Sequence, residues 1–155
     1  MSPRSSTRQL RRPILLVEDS RRDAELLLAA LEEAMDTSRI VHVRDGVEAL
    51  AWLERAGEPA PESPLLPALI LLDLKMPRMT GMELLGRIKS DGRLCRIPVV
   101  LMTSSEQESD LAEAYQLGVN AYVRKPLEFE AFVSAVQQVM DFWVKRNLLP
   151  MLESP

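Results

Sequence analysis

The stretch Ala68-Leu69-Ile70-Leu71-Leu72 ends abruptly on a single carboxylate, Asp73. A continuous apolar run without alternation reads as a strand covered on both faces, as in a parallel sheet held between helices. Asp73 then falls at the strand's carboxyl end, and in open α/β sheets ligands bind in the crevice outside those ends. Pro77 and Gly81 stop the strand and turn the chain before Met82-Glu83-Leu84-Leu85 resumes at helical spacing. Standing alone, Asp73 reads equally well as a loop acid or a helix cap.

The pattern recurs along the chain. Ile14-Leu15-Leu16-Val17 is a second all-apolar strand ending on Glu18-Asp19-Ser20. A helix follows, with Ala24, Leu27, Leu28, Leu31 and Met35 at helical intervals behind a Ser20 cap. Ile40 to Val43 is a strand, and Asp45-Gly46 turns into a helix ending near Gly57. Pro59, Pro61, Pro64 and Pro67 impose a loop longer than such connections need. Ile97 to Met102 is a strand ending on Thr103, its helix runs from Glu106 to Leu117, and Gly118 stops it. Ala121-Tyr122-Val123 is the last strand and ends at Arg124-Lys125-Pro126. The final helix opens near Glu128, with an apolar stripe through Phe129, Phe132, Val133, Val136, Val139, Met140 and Trp143. Five strands alternating with five helices predict a doubly wound α/β fold, a five-stranded parallel sheet of flavodoxin-like order.

Totals exclude several chemistries. With 155 residues the chain suits one domain, and 19 basic against 23 acidic residues give a net charge of -4, which argues against nucleic-acid binding. Cys95 is the only cysteine and His42 the only histidine, so disulfide frameworks, Cys/His zinc clusters and most histidine-base arrangements are out. His42, within a strand, reads as structural. No signal-peptide pattern and no apolar run of bilayer length is present, so a cytoplasmic protein with no membrane contact is expected. Residues 1–12, with four arginines, are expected to be a disordered tail; 13–141 form the domain, and 142–155 a C-terminal helix extension and tail.

Collected at the strand ends are Glu18, Asp19, Asp73, Thr103 and Lys125. There is no Gly-x-Gly-x-x-Gly after the first strand and no Gly-Lys-Ser/Thr, so nucleotide phosphates lack a cradle. Three carboxylates converging on one crevice repel each other, and a hard divalent cation resolves this; Mg2+ fits best because it takes few carboxylates and keeps exchangeable waters. A metal, the Lys125 ammonium and the Thr103 hydroxyl around Asp73 are what phosphoryl transfer needs, with Asp73 as nucleophile. Taken singly, Thr103 reads equally as a cap and Lys125 as a solvated charge.

Val17-Glu18-Asp19, Leu72-Asp73-Leu74-Lys75-Met76-Pro77-Arg78-Met79-Thr80-Gly81, Val100-Leu101-Met102-Thr103-Ser104 and Ala121-Tyr122-Val123-Arg124-Lys125-Pro126 together resemble the receiver domain of two-component response regulators. The resemblance covers about residues 13 to 140. It implies that Asp73 accepts a phosphoryl group from a sensor histidine kinase. It implies that Asp19 and Asp73 bind Mg2+ directly, that Glu18 helps through water, and that the Lys75 carbonyl completes the set. It also implies that Lys125 pairs with phosphoryl oxygens and precedes a cis Lys125–Pro126 bond. Thr103 would turn toward the phosphoryl group, and Tyr122 would turn inward with it.

Aspartate-nucleophile phosphohydrolases of the haloacid dehalogenase type are the alternative, but they need a second acid two residues after the nucleophile, where this chain has Lys75. A receiver-like scaffold that turns over no phosphate is disfavoured, since no member of the acid, hydroxyl and lysine set is missing. The expectation is a phosphoacceptor signalling protein rather than an enzyme, losing its phosphate slowly. Residues are used up by the final helix, so output would pass through protein contacts or a phosphorelay. The proline-rich loop and long tail resemble the stand-alone regulators that accompany bacterial and cyanobacterial phytochromes, implying a bacteriophytochrome as kinase. Phe142, Trp143, Val144, Leu148, Leu149, Met151 and Leu152 should overhang the sheet as an apolar patch, which predicts a homodimer through the C-terminal helix; a tail folded back on its own domain is the alternative.

Overall fold

Strands β1 (Ile14–Val17), β2 (Ile40–Val43), β3 (Leu69–Leu72), β4 (Val99–Thr103) and β5 (Ala121–Arg124) pair in parallel in the order β2-β1-β3-β4-β5. A computed structural model describes residues 11–150. Between the strands lie helices α1 (Arg21–Ala34), α2 (Gly46–Arg55), α3 (Gly81–Ser90), α4 (Glu108–Gln116) and, after β5, α5 (Phe129–Met140). The doubly wound, flavodoxin-like order read from the sequence is the order observed.

The absence of alternation in β1, β3 and β4 has its reason in two cores. Leu15, Val17, Ile70, Leu72, Val99 and Leu101 point to one face and pack with Ala49 and Leu53 of α2, Leu84, Leu85 and Ile88 of α3, and Ala114 of α4. Ile14, Leu16, Leu69, Leu71, Val100 and Met102 point to the other, against Leu27, Ala30 and Leu31 of α1 and the Phe132–Met140 stripe of α5. A strand buried on both faces has no position where a polar side chain would meet water. Each fully buried Leu or Ile contributes about 2 kcal/mol.

Three helices start on capping side chains. Ser20 accepts from the Asp23 amide, Asp45 from the Glu48 amide and Thr80 from the Glu83 amide. Each such cap is worth about 1 kcal/mol.

Three expectations are corrected. Arg12, placed in the disordered tail, is buried: its Nε donates to the Leu66 carbonyl at 2.9 Å and its Nη2 to the Pro67 carbonyl at 2.7 Å. The guanidinium satisfies carbonyls at the end of the proline-rich loop, and burial lowers its pKa to about 10. Residues 1–10 lie outside the described residues.

The Lys125–Pro126 bond is trans, as is every described peptide bond; trans is the isomer an X–Pro bond favours.

The apolar tail does not overhang as one patch. A π-helical turn, Asp141–Arg146, follows α5, and within it Val144 packs onto the domain on the face of Val136 and Met140. Val144 is buried, and Trp143 and Leu149 pack against the α1/α5 core, whereas Phe142 and Leu148 are 53% and 63% exposed. Met151 and Leu152 lie outside the described residues.

Candidate phosphoacceptor site

Parallel register delivers the site. Val17 lies opposite both Val43 and Leu72, so the chain leaves β1 and β3 at the same level. The ladder runs one residue further: the Asp73 amide donates to the Val17 carbonyl at 3.3 Å and the Glu18 amide to the Val43 carbonyl at 3.1 Å. On the other side the Lys125 amide donates to the Thr103 carbonyl at 2.8 Å. Glu18, Asp73, Thr103 and Lys125 are therefore carried by adjacent backbone at one sheet edge, the crevice where the strand order reverses.

The Lys125 ammonium is the hub. Its Nζ lies 3.3 Å from Glu18 Oε2, 3.3 Å from Asp73 Oδ2 and 3.5 Å from Asp23 Oδ2. Burial alone would lower the Lys125 pKa, but Asp73, Glu18 and Asp23 together outweigh it and hold the ammonium charged. Glu18 is pushed up to about 7, first by burial and then by the Asp73 charge, against the opposing pull of Lys125 and the Ser20 amide. That amide reaches Glu18 Oε1 at 3.1 Å.

Oxygens of Glu18, Asp23 and Asp73 lie within 4.8 Å of one another. All three are hard donors, and their mutual repulsion suits a hard divalent cation. Asp23 is the residue that the sequence reading missed. It sits at the third position of α1, one turn in from the Ser20 cap, and the Ser20-x-x-Asp23 spacing was its only signal. Asp19, by contrast, is exposed and stands outside the three-acid group.

Thr103 is fully buried, and its Oγ1 accepts from the Ser105 amide at 3.2 Å. Ser105 is fixed in turn by donating its hydroxyl to Asp110 at 2.5 Å. The Lys75 amide donates to Asp73 Oδ1 at 3.3 Å, while its side chain is exposed. Tyr122 packs against the α2–α4 core, and its hydroxyl is the one buried side-chain polar atom without a hydrogen-bond partner among the described residues. His42 Nε2 donates to the Glu18 carbonyl at 2.8 Å, in keeping with a structural role.

Residues 14–137 match the model of the response regulator receiver domain. The response regulator Rcp1 of Synechocystis sp. is 39% identical over 137 residues, 88% of this chain and 92% of the relative. Its Mn(2+)-bound crystal structure covers 90% of this chain and 99% of that one, with a TM-score of 0.79. The structure of the phosphorylated cyanobacterial phytochrome response regulator RcpA is 42% identical, covers 90% and 98%, and has a TM-score of 0.78. A probable methanogenesis regulatory protein, FilR2 of Methanothrix harundinacea, is 42% identical over 137 residues, 88% of this chain and 86% of the relative. The acid cluster and the manganese form of Rcp1 agree with divalent metal binding typical of receiver domains. Receiver domains work with sensor kinases, and phytochrome-linked regulators are among the neighbours. The chain belongs to the response regulator receiver domain family and is a signalling protein of two-component systems.

Proposed function

We propose that Asp73 is the phosphoacceptor, taking its phosphoryl group from a histidine kinase with Mg2+ as the working cation. The single observation that carries this is Lys125 Nζ held 3.3 Å from both Asp73 and Glu18. That is a charge placed where phosphoryl oxygens would arrive, beside an acid cluster that suits a cation. An Asp73 carboxylate oxygen forms the new P–O bond as the bond from phosphorus to the donor's nitrogen breaks. Asp73 and Asp19, the latter turned in from its exposed position, would hold the cation directly, Glu18 would help through water, the Lys75 carbonyl would complete the set, and Asp23 would stand beside it. When bound, the cation neutralises charge on the phosphoryl oxygens. Lys125 then shifts from Glu18 and Asp23 toward the new phosphoryl group. Thr103 leaves the Ser105 amide to donate to it, and Tyr122 reports the change through its unpartnered hydroxyl.

Lys75 stands two residues after Asp73, where an attacking water would need a base, and an ammonium cannot serve as one. The phosphorylated state therefore persists, and the protein is a switch with slow self-dephosphorylation rather than a phosphohydrolase. Its setting is the cytoplasm, with no nucleic acid or membrane as partner; no described helix is long and apolar enough to cross a membrane. Likeness to RcpA, a cyanobacterial phytochrome response regulator, and to bacteriophytochrome response regulators 48% identical supports a bacteriophytochrome as kinase. The exposed Phe142 and Leu148 support a homodimer through the C-terminal segment, with output through protein contacts or a relay.

Incubation with acetyl phosphate and Mg2+ adds one phosphoryl group by intact mass, Asp73→Asn adds none, and the adduct outlasts removal of the donor by many minutes. A wild-type yield from Asp73→Asn sinks the assignment. Rapid turnover of a generic phosphate ester would support the phosphohydrolase instead.

A further inference from the structure

We propose that Arg78 is a positioning residue: its pairing with Asp45 holds the loop after β3 in the shape that carries the cation site. This rests on Asp73 and the Lys75 carbonyl as cation ligands, as proposed above.

Arg78 has φ 66°, the only positive φ at a non-glycine residue among those described. A side chain with a Cβ is disfavoured there, and such backbone persists only where its surroundings hold it. The holding contact is visible. The Arg78 guanidinium pairs with the Asp45 carboxylate, 33 residues earlier in the chain. The Arg78 side chain is 68% exposed and that of Asp45 only 4%, so the arm reaches from solvent to a buried anchor.

The anchor is itself tied down by hydrogen bonds. Asp45 Oδ1 accepts from the Glu48 amide at 2.8 Å as the cap of α2, and Glu48 Oε2 accepts from the Arg44 amide at 3.1 Å. A second contact lies beside it: Met79 covers Gly46 so closely that a Cβ there would stand 2.8 Å from the Met79 Cβ. At its far end the loop closes on its own start, with the Gly81 amide donating to the Leu74 carbonyl at 3.0 Å. The segment 73–81 thus leaves β3, touches down on the start of α2 and returns to Leu74. Lys75 lies between the two touchdown points, and its amide bonds Asp73 Oδ1. Without the pair, Arg78 relaxes toward negative φ and the Asp73–Lys75 geometry moves with it.

The test is isothermal titration of full-length wild type, Arg78→Ala, Arg78→Gly and Asp45→Asn with Mg2+ and with Mn2+. Arg78→Ala and Asp45→Asn are expected to bind roughly tenfold more weakly, the scale on which groups supporting a ligand act. Asparagine at 45 keeps the acceptor for the Glu48 amide, so α2 stays capped and the thermal midpoint in EDTA stays near wild type. Arg78→Gly binds more tightly than Arg78→Ala, because glycine takes the positive φ unaided.

Simple charge effects give another pattern. Removing a cation would strengthen Mg2+ binding and removing an anion would weaken it, so the two variants would move in opposite directions. Opposite signs, unchanged affinities, or equal binding by the alanine and glycine variants overturn the proposal. If wild type binds neither cation, the reading of the site fails and takes this one with it.

Discussion

Glu18 and Lys125, 107 residues apart in the chain, meet with Oε2 and Nζ 3.3 Å apart at the mouth of the sheet. The pair does not relieve Glu18 of its burial or of the Asp73 charge, and its pKa stays raised to about 7 from an ordinary 4.5. The groups facing it are Asp73, Asp23, Lys125 and the Ser20 amide. A carboxyl whose folded pKa is raised contributes stability that is complete below 4.5 and lost as pH rises through about 7. In EDTA, therefore, the thermal midpoint of the protein rises as pH falls from 8 to 6. Cation affinity runs the other way, because the proton competes for Glu18. Melts at stepped pH check this, and Glu18→Gln should flatten the slope; a wild-type midpoint that falls across that interval contradicts it.

Lys125→Met tests the ammonium as a stand-in for metal charge. Three carboxylates then face each other with no cation, which costs about 3 kcal/mol in EDTA at pH 8. Mg2+ should bind more tightly, since its competitor is gone, while phosphorylation by acetyl phosphate falls at least tenfold. Calorimetry and intact mass read the two halves separately.

Gly81→Ala should be far more damaging than its helical position suggests. A Cβ at Gly81 would stand 2.7 Å from the Leu74 Cα, backbone that cannot swing aside as a side chain can. Destabilisation of about 3 kcal/mol is expected, with loss of phosphorylation from the displaced Asp73–Leu74 peptide. Urea unfolding gives the first number, and a midpoint within experimental error of wild type would refute it.

The C-terminal segment separates two roles along one stretch. Phe142→Asp and Leu148→Asp, at exposed positions, should lower the mass seen by light scattering from dimer to monomer with little change in thermal midpoint. Val144→Ala should instead lower stability by about 1 kcal/mol and leave assembly intact, since Val144 packs inside its own domain. A monomeric wild type at micromolar concentration, phosphorylated or not, ends the dimer proposal.

Much was legible because the strand and helix signals are local. Unbroken runs such as Ile14–Val17 and Leu69–Leu72, bounded by turn signals, read as buried strands, and each is followed directly by an acid. Parallel pairing then carried Asp73, Thr103 and Lys125 to one edge without further information. What the tertiary structure alone decided concerns side-chain direction and pairing across loops. Asp19 and Asp23 are the same residue type four positions apart, yet the turn at Ser20 leaves one in solvent and aims the other at Lys125. Arg78 finds Asp45 through the shape of a loop with positive φ, and Arg12 finds the carbonyls of Leu66 and Pro67 more than 50 residues away. Val144, in the turn after Met140, likewise packs into the core where helix length led to the expectation of an overhang. Periodicities of two and 3.6 describe which face a residue takes within one element. They say nothing of how two irregular segments approach each other, because that distance is set by the packing of everything between them.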